Sequence, residues 1–214
     1  MTNTTKTLII TSHVEHLNSV RLDYSQFSTV ICADGGFAVA RQLGLAPDYP
    51  IGDYDSSPRP DLPGIIVLPM EKDMTDSEAA IDLAVSKGFR HITVLGGLGG
   101  RLDHTLGNLG MLAKYCGKLE HLSFVDGQNC VFMISPGTIK VPANPYPYMG
   151  IISYGSFARG VTLRGVKYPL TGHFLTNDTT LGVSNEIVED EAVISFTEGR
   201  LLVILSGDMD QKQR

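Results

Sequence analysis

Basic residues are in short supply. The 214-residue chain carries 17 lysines and arginines against 23 aspartates and glutamates, a formal net charge of -6. Binding duplex nucleic acid needs a basic face that neutralises phosphates, so this balance argues against that class of partner. An anionic small ligand stays open, because a few aspartates bind phosphates through a divalent cation. Cysteine is scarcer still. Cys32, Cys116 and Cys130 are odd in number and lack C-x-x-C spacing, which points to neither a disulfide framework nor a zinc site. No apolar run reaches membrane-spanning length, and the polar first residues do not read as a secretory signal. The expectation is a cytoplasmic protein with no membrane partner. Internal repeats and low-complexity tracts are also missing.

What is present is a chain with 43% hydrophobic residues, enough for a real core in one large or two modest domains. Short β-branched runs at 7–11, 29–33, 65–68 and 91–95 read as buried strands. Helix-compatible segments at 37–43, 79–85 and 104–115 alternate with them, the pattern of a parallel α/β unit. Thr75 and Glu78 have capping-box spacing before the second helix. From about Leu122 helical periodicity fades. Strand-like runs at 122–125, 131–134, 151–154, 161–163, 192–196 and 201–205 follow, separated by turn signals such as Asp126-Gly127, Tyr154-Gly155 and Glu198-Gly199-Arg200. That spacing predicts an antiparallel sandwich or barrel. The expected division is an α/β domain over 1–120 and an all-β domain over 121–214.

Function-bearing residues gather after the predicted strands. Asp34-Gly35-Gly36 follows one, and Gly35 and Gly36 permit close approach of a ligand to the backbone. Gly52-Asp53-Tyr54-Asp55 places two carboxylates two residues apart, and a turn started at Gly52 aims both into one space. Lys72, Asp73 and Asp76 lie in a loop and the first turn of a helix. Gly96-Gly97-Leu98-Gly99-Gly100 offers amides that cradle an anion, followed by Arg101, a bidentate phosphate clamp, then Asp103 and His104. The loop is neither a Walker A sequence nor a dinucleotide fingerprint. In a parallel sheet, ligands sit beyond the carboxyl ends of the strands, so six acids share one edge with this loop. Hard oxygen donors from several segments suit magnesium and phosphoryl-type transfer. His13, His16, His91, His121 and His173 form no metal-spaced set and read as solvated or core-edge residues.

In this order and spacing, Ala33-Asp34-Gly35-Gly36, Gly52-Asp53-Tyr54-Asp55-Ser56, Lys72-Asp73-x-Thr75-Asp76-x-Glu78 and Gly97-x-x-Gly100-Arg101-x-Asp103-His104 resemble the thiamine pyrophosphokinase family. Leu175-Thr176-Asn177-Asp178 and Val183-Ser184-Asn185-Glu186 extend the resemblance to the C-terminal part. It implies a Rossmann-like parallel sheet with flanking helices, then an antiparallel β-sandwich. It also implies a homodimer with its thiamine site near the subunit interface. The implied reaction transfers the pyrophosphate of ATP to thiamine, with magnesium. By resemblance, Asp53, Asp55, Asp76 and Asp103 are metal ligands and, with Arg101, catalytic. Asp34, Gly35, Gly36, Lys72, Asp73, Gly99, Gly100, Arg101 and His104 fall on the ATP side. Ser184 and Asn185 fall on the thiamine side. Where some members of the family carry tryptophan this chain has none, and Tyr168 is the available stacking ring. Two rival functions stand beside this one: a pyrophosphokinase for another hydroxymethyl heterocycle such as a pterin, and a non-catalytic thiamine or nucleotide sensor.

Overall fold

The computed structural model describes residues 5–55, 59, 61–62, 64–71 and 73–208. The chain divides into two compact units, Met1–Gly127 and Gln128–Arg214.

The first unit contains β1 (Lys6–Ile10), β2 (Phe27–Ala33), α1 (Gly36–Gln42), β3 (Tyr49–Gly52), β4 (Ile66–Val67), α2 (Asp76–Ser86), β5 (His91–Leu95), α3 (Leu102–Tyr115) and β6 (His121–Val125). All six strands are parallel, in the order β4-β3-β2-β1-β5-β6. Consecutive residues Leu8, Ile9 and Ile10 of the central strand are each fully buried, because such a strand is covered on both faces. That is why the sequence shows continuous apolar runs here rather than alternation. Leu8, Ile10, Val30, Cys32 and Leu95 form a core with Val39 and Ala40 of α1. α2 starts where expected, with Thr75 Oγ1 accepting from the Glu78 N–H at 3.2 Å.

One element belongs elsewhere than expected. The sequence pattern places residues 122–125 in the antiparallel part, yet β6 pairs in parallel with β5 from His91↔His121 to Leu95↔Val125. A short apolar run carries no mark of its partner's direction.

The second unit contains β7 (Asn129–Ile134), β8 (Gly137–Pro142), β9 (Tyr148–Arg164), β10 (Leu170–Thr176), β11 (Glu191–Phe196) and β12 (Glu198–Ser206), all antiparallel. Within the unit the order is β7-β12-β9-β11-β8, with β10 also on β9. The expected turn at Tyr154-Gly155 is instead a bend inside the 17-residue β9. Gly155 has φ 112°, and the β12 register shifts in the same region. An irregularity of this kind curves a strand without ending it. Likewise Glu198-Gly199-Arg200 lies within β12, and no reversal precedes it: β11 and β12 run one after the other antiparallel to β9, with Thr197 N–H bonded to Arg159 O between them. β9 therefore spans both halves of the unit, joining Met149 and Ile151 to Ala158, Val161 and Leu163 in one core. Among the described residues, no helix is long and apolar enough to cross a membrane.

Candidate functional site

In the first unit the chain builds β1 to β4 outward on one side and returns to place β5 on the other side of β1. Loops leaving the carboxyl ends of strands diverge at such a reversal and open a crevice. Two adjoining cavities, of about 380 and about 390 Å³, lie here. They share Thr11, Ser12, Ser77, Arg101 and His104.

The first cavity is acidic. Asp34, Asp53, Asp55 and Asp76 stand in its wall, one or two from each of three segments. Asp34 has φ 45°, and its N–H donates to Ile51 O at 2.8 Å. A Cβ on Gly52 would come within 2.8 Å of Asp34 Cα, so this glycine lets the two loops touch. The turn that gathers the paired acids is one residue pair further on than expected. Tyr54 adopts φ 55°, and the Asp55 N–H donates to Asp53 Oδ1 at 3.3 Å. The left-handed tyrosine breaks the extended alternation that would send Asp53 and Asp55 to opposite sides. Among the described residues, no three His, Cys, Asp or Glu side chains are grouped closely enough to hold a metal ion by themselves. The carboxylate donor set nevertheless fits magnesium, which takes one or two protein carboxylates and fills its remaining positions with water and substrate phosphates.

The second cavity is walled by the glycine loop. Gly96, Gly97, Gly99 and Gly100 all have positive φ, from 61° to 96°. Their purpose is partly internal packing. Side chains at 96 and 99 would strike Thr11, the His13 carbonyl and Glu15, and one at 97 would meet the Asn108 amide. Asn108 Nδ2 donates to Gly97 O at 2.7 Å, and Thr105 Oγ1 to Gly99 O at 3.1 Å, tying the loop to α3. Arg101 and His104 stand in the wall shared by both cavities. Asp103 stands apart from the expected metal carboxylates: it grips Arg101 through Nε–Oδ1 at 3.1 Å and Nη2–Oδ2 at 2.5 Å. Its Oδ1 also accepts the His104 N–H at 2.9 Å. The Arg101 hydrogen bond holds the Asp103 carboxyl below the usual carboxylate range.

In the second unit, a cavity of about 490 Å³ is lined by Tyr168, Leu170, the 179–183 segment and Asn185. Asn185 is buried, and its side chain is committed to the main chain. Oδ1 accepts from Tyr168 N and Glu186 N, both at 2.9 Å, while Nδ2 donates to Tyr168 O at 2.8 Å. It therefore positions Tyr168. Tyr168 is 57% exposed, and Lys167 Nζ lies 5.5 Å from its ring centroid. Ser184, with φ 57°, is exposed and is not in that wall.

Residues 21–123 match the family model of the thiamin pyrophosphokinase catalytic domain, and 137–201 that of the vitamin B1 binding domain. The chain is 32% identical over 186 residues to the thiamine pyrophosphokinase of Bacillus subtilis, covering 83% of this chain and 87% of that protein. The chain belongs to the thiamine pyrophosphokinase family. It is an enzyme of that class. The crystal structure of the Bacillus subtilis thiamine pyrophosphokinase matches with a TM-score of 0.85 at 30% identity, over 95% of this chain and 100% of that one. That of the family protein from Geobacillus thermodenitrificans matches at 0.83 and 32%, over 95% and 98%.

Both cavities of the first unit fall largely in the segment matched by the thiamin pyrophosphokinase catalytic domain, and the Tyr168 cavity in that matched by the B1-binding domain. Not every residue carried over by family resemblance is in a wall. Lys72 lies outside the described residues. Asp73 is exposed and lines neither cavity. Gly35 opens α1, and Gly36 packs so tightly on Ile10 that a side chain would collide with its carbonyl. Conversely, Thr11, Ser12 and His13 line the crevice and were missed. They follow β1 directly, so the rule that selected the acids after other strands would have selected them too.

Proposed function

We propose that the enzyme transfers the pyrophosphoryl group of ATP to the hydroxyl of thiamine, giving thiamine pyrophosphate and AMP, in a magnesium-dependent reaction. The observation that supports this most is the convergence of Asp34, Asp53, Asp55 and Asp76 on one cavity beside the glycine loop, with Arg101 and His104 between the two. Four carboxylates in one wall repel one another unless a cation or a shared proton offsets them. Magnesium held there by Asp53, Asp55 and Asp76 would supply charge neutralisation on the transferred group.

The chain's own residues then position and polarise. Arg101, aligned by Asp103, holds a phosphate oxygen from the shared wall, with His104 beside it. The thiamine oxygen attacks the β-phosphorus in line. The bond from that phosphorus to the α–β bridging oxygen breaks, AMP departs with that electron pair, and a cavity aspartate takes the hydroxyl proton. Catalysis rests on orientation and fixed charge, with no covalent enzyme intermediate. Tyr168 offers thiamine the ring face opposite Lys167, with Ser184 nearby in sequence and Asn185 holding the tyrosine main chain.

In the same reading the first unit is Rossmann-like and the second a β-sandwich. The protein works as a cytoplasmic homodimer with thiamine bound near the subunit interface. Exposed Leu181 and Val183 beside the Tyr168 cavity are apolar surface that a partner would cover. The test is replacement of the paired acids. Asp53→Asn and Asp55→Asn should each lower turnover at least about a hundred-fold, with an unchanged circular dichroism spectrum, as expected when transition-state charge stabilisation is lost. Full activity in either folded variant refutes the assignment.

A further inference from the structure

The segment after β1 precedes the first residue matched by the catalytic-domain model, yet it is built into the glycine cavity. Thr11 Oγ1 donates to His13 O at 3.0 Å, and the Gly97 N–H reaches the same carbonyl at 3.4 Å. The His13 ring lies beside Gly100, 3.5 Å from where a side chain at that position would begin. Its Nε2 is 3.0 Å from Glu15 Oε1, and Glu15 in turn packs directly on Gly99. Hydrogen bonding from His13, with a smaller contribution from the Gly100 amide, holds the Glu15 carboxyl below the usual carboxylate range. The glycine loop thus already faces an anion belonging to the protein.

We propose that His13 and Glu15 form a proton-controlled charge pair in the wall of the nucleotide cavity, in which His13 is a further contact for the anionic ligand. The proposal rests on the reading of this cavity as part of an ATP site. While His13 is protonated, the pair is neutral overall and the ring supplies a charged donor. Once His13 loses its proton, the Glu15 carboxylate remains as a net negative charge beside the phosphates. Affinity therefore falls when His13 gives up its proton. The groups around His13 are Glu15 and His16 from its own segment, and Arg101, bound to Asp103, and His104 from the loop and α3. Ser77 comes from α2, and Asp76 stands in the adjoining cavity.

Calorimetric titration with magnesium and α,β-methylene-ATP, without thiamine, separates these contributions when wild type, His13→Gln and Glu15→Gln are compared at about pH 6 and about pH 8. Protonation of the ligand and of the rest of the cavity is common to all three proteins, so only differences between them are read. His13→Gln should weaken binding about five-fold at the lower pH and less than about two-fold at the higher, as expected for loss of one charge-assisted contact. Glu15→Gln, which keeps an acceptor for the Gly100 amide, should tighten binding about two-fold at the higher pH, where an unbalanced carboxylate is removed. The side chain of His13 is 63% exposed, so its replacement is compatible with folding. An equal effect of His13→Gln at both pH values, no effect at either, or weaker binding by Glu15→Gln at the higher pH overturns the proposal. Nucleotide that fails to bind wild type at both pH values overturns the ATP reading on which it stands, and the proposal with it.

Discussion

Tyr54 holds a backbone conformation that costs a bulky L residue about 1–2 kcal/mol, and it does so between the two aspartates of the acidic cavity. Strain of this kind persists only where the surrounding structure holds it. Among the described residues, the buried tyrosine hydroxyl has no hydrogen-bond partner. Burial first, then the charges of Asp34, Cys32 and Asp76, push its pKa up to about 12, so it stays a neutral donor at any working pH. An unpaired buried hydroxyl costs about 1–3 kcal/mol. Tyr54→Phe should therefore raise the thermal midpoint by about 2–4 °C in a chain of this size. A lower midpoint in differential scanning calorimetry would mean that the hydroxyl has a partner in solution. The acids themselves were legible in the sequence because their residue type states the chemistry. The tyrosine's part was not, because left-handed φ in a non-glycine residue leaves no mark in composition or spacing. His13 escaped for another reason: a lone histidine next to no other ligand-type motif reads as surface until the glycine loop is placed against it.

At the level of elements, the strand–loop–helix alternation up to residue 115 could be read from periodicity and punctuation, whereas the C-terminal unit could be read only in outline. Tyr154-Gly155 and Glu198-Gly199-Arg200 look like turns, but a glycine in an antiparallel ladder also serves a bend within one strand. β8 and β10 are partly exposed and interrupt their apolar residues with Thr, Gly, Lys140 and His173, so they lack an apolar alternation to give them away. The contact that shapes the Tyr168 cavity is equally silent in the sequence. The 185–188 segment runs against 165–168 through the Val166↔Ile187 bridge and Lys167 N–H to Glu186 O at 2.9 Å. Asn185 closes that pairing with three side-chain hydrogen bonds at 2.8 to 2.9 Å. Asn185→Ala strands buried main-chain groups of Tyr168 and Glu186 and should destabilise the protein by about 2–3 kcal/mol in urea unfolding. The same variant should raise KM for thiamine several-fold while leaving KM for ATP within about two-fold, because it acts through Tyr168 in the second unit. Equal changes in both constants would show a general loss of structure.

For the molecule as a whole, two units with separate cores carry two kinds of cavity: acidic and glycine-walled in the first, half-apolar beside an exposed tyrosine in the second. The change in periodicity near residue 122 puts a boundary before β6, whereas the compact units divide after Gly127 and β6 pairs within the parallel sheet. Convergence of the acids was readable, because parallel topology sends every strand end to one edge. Asp73 and Asp103 were the exceptions: Asp73 lines neither cavity, and the sequence does not say that Arg101 holds Asp103. The proposed pyrophosphoryl transfer makes a definite statement about which atoms move. Supplying the wild-type protein with thiamine, magnesium and ATP radiolabelled at the γ-phosphate tests that statement directly. The account predicts that the label passes intact to thiamine pyrophosphate, with one unlabelled AMP formed per labelled product. Label released as inorganic phosphate, or ADP appearing in place of AMP, would contradict it.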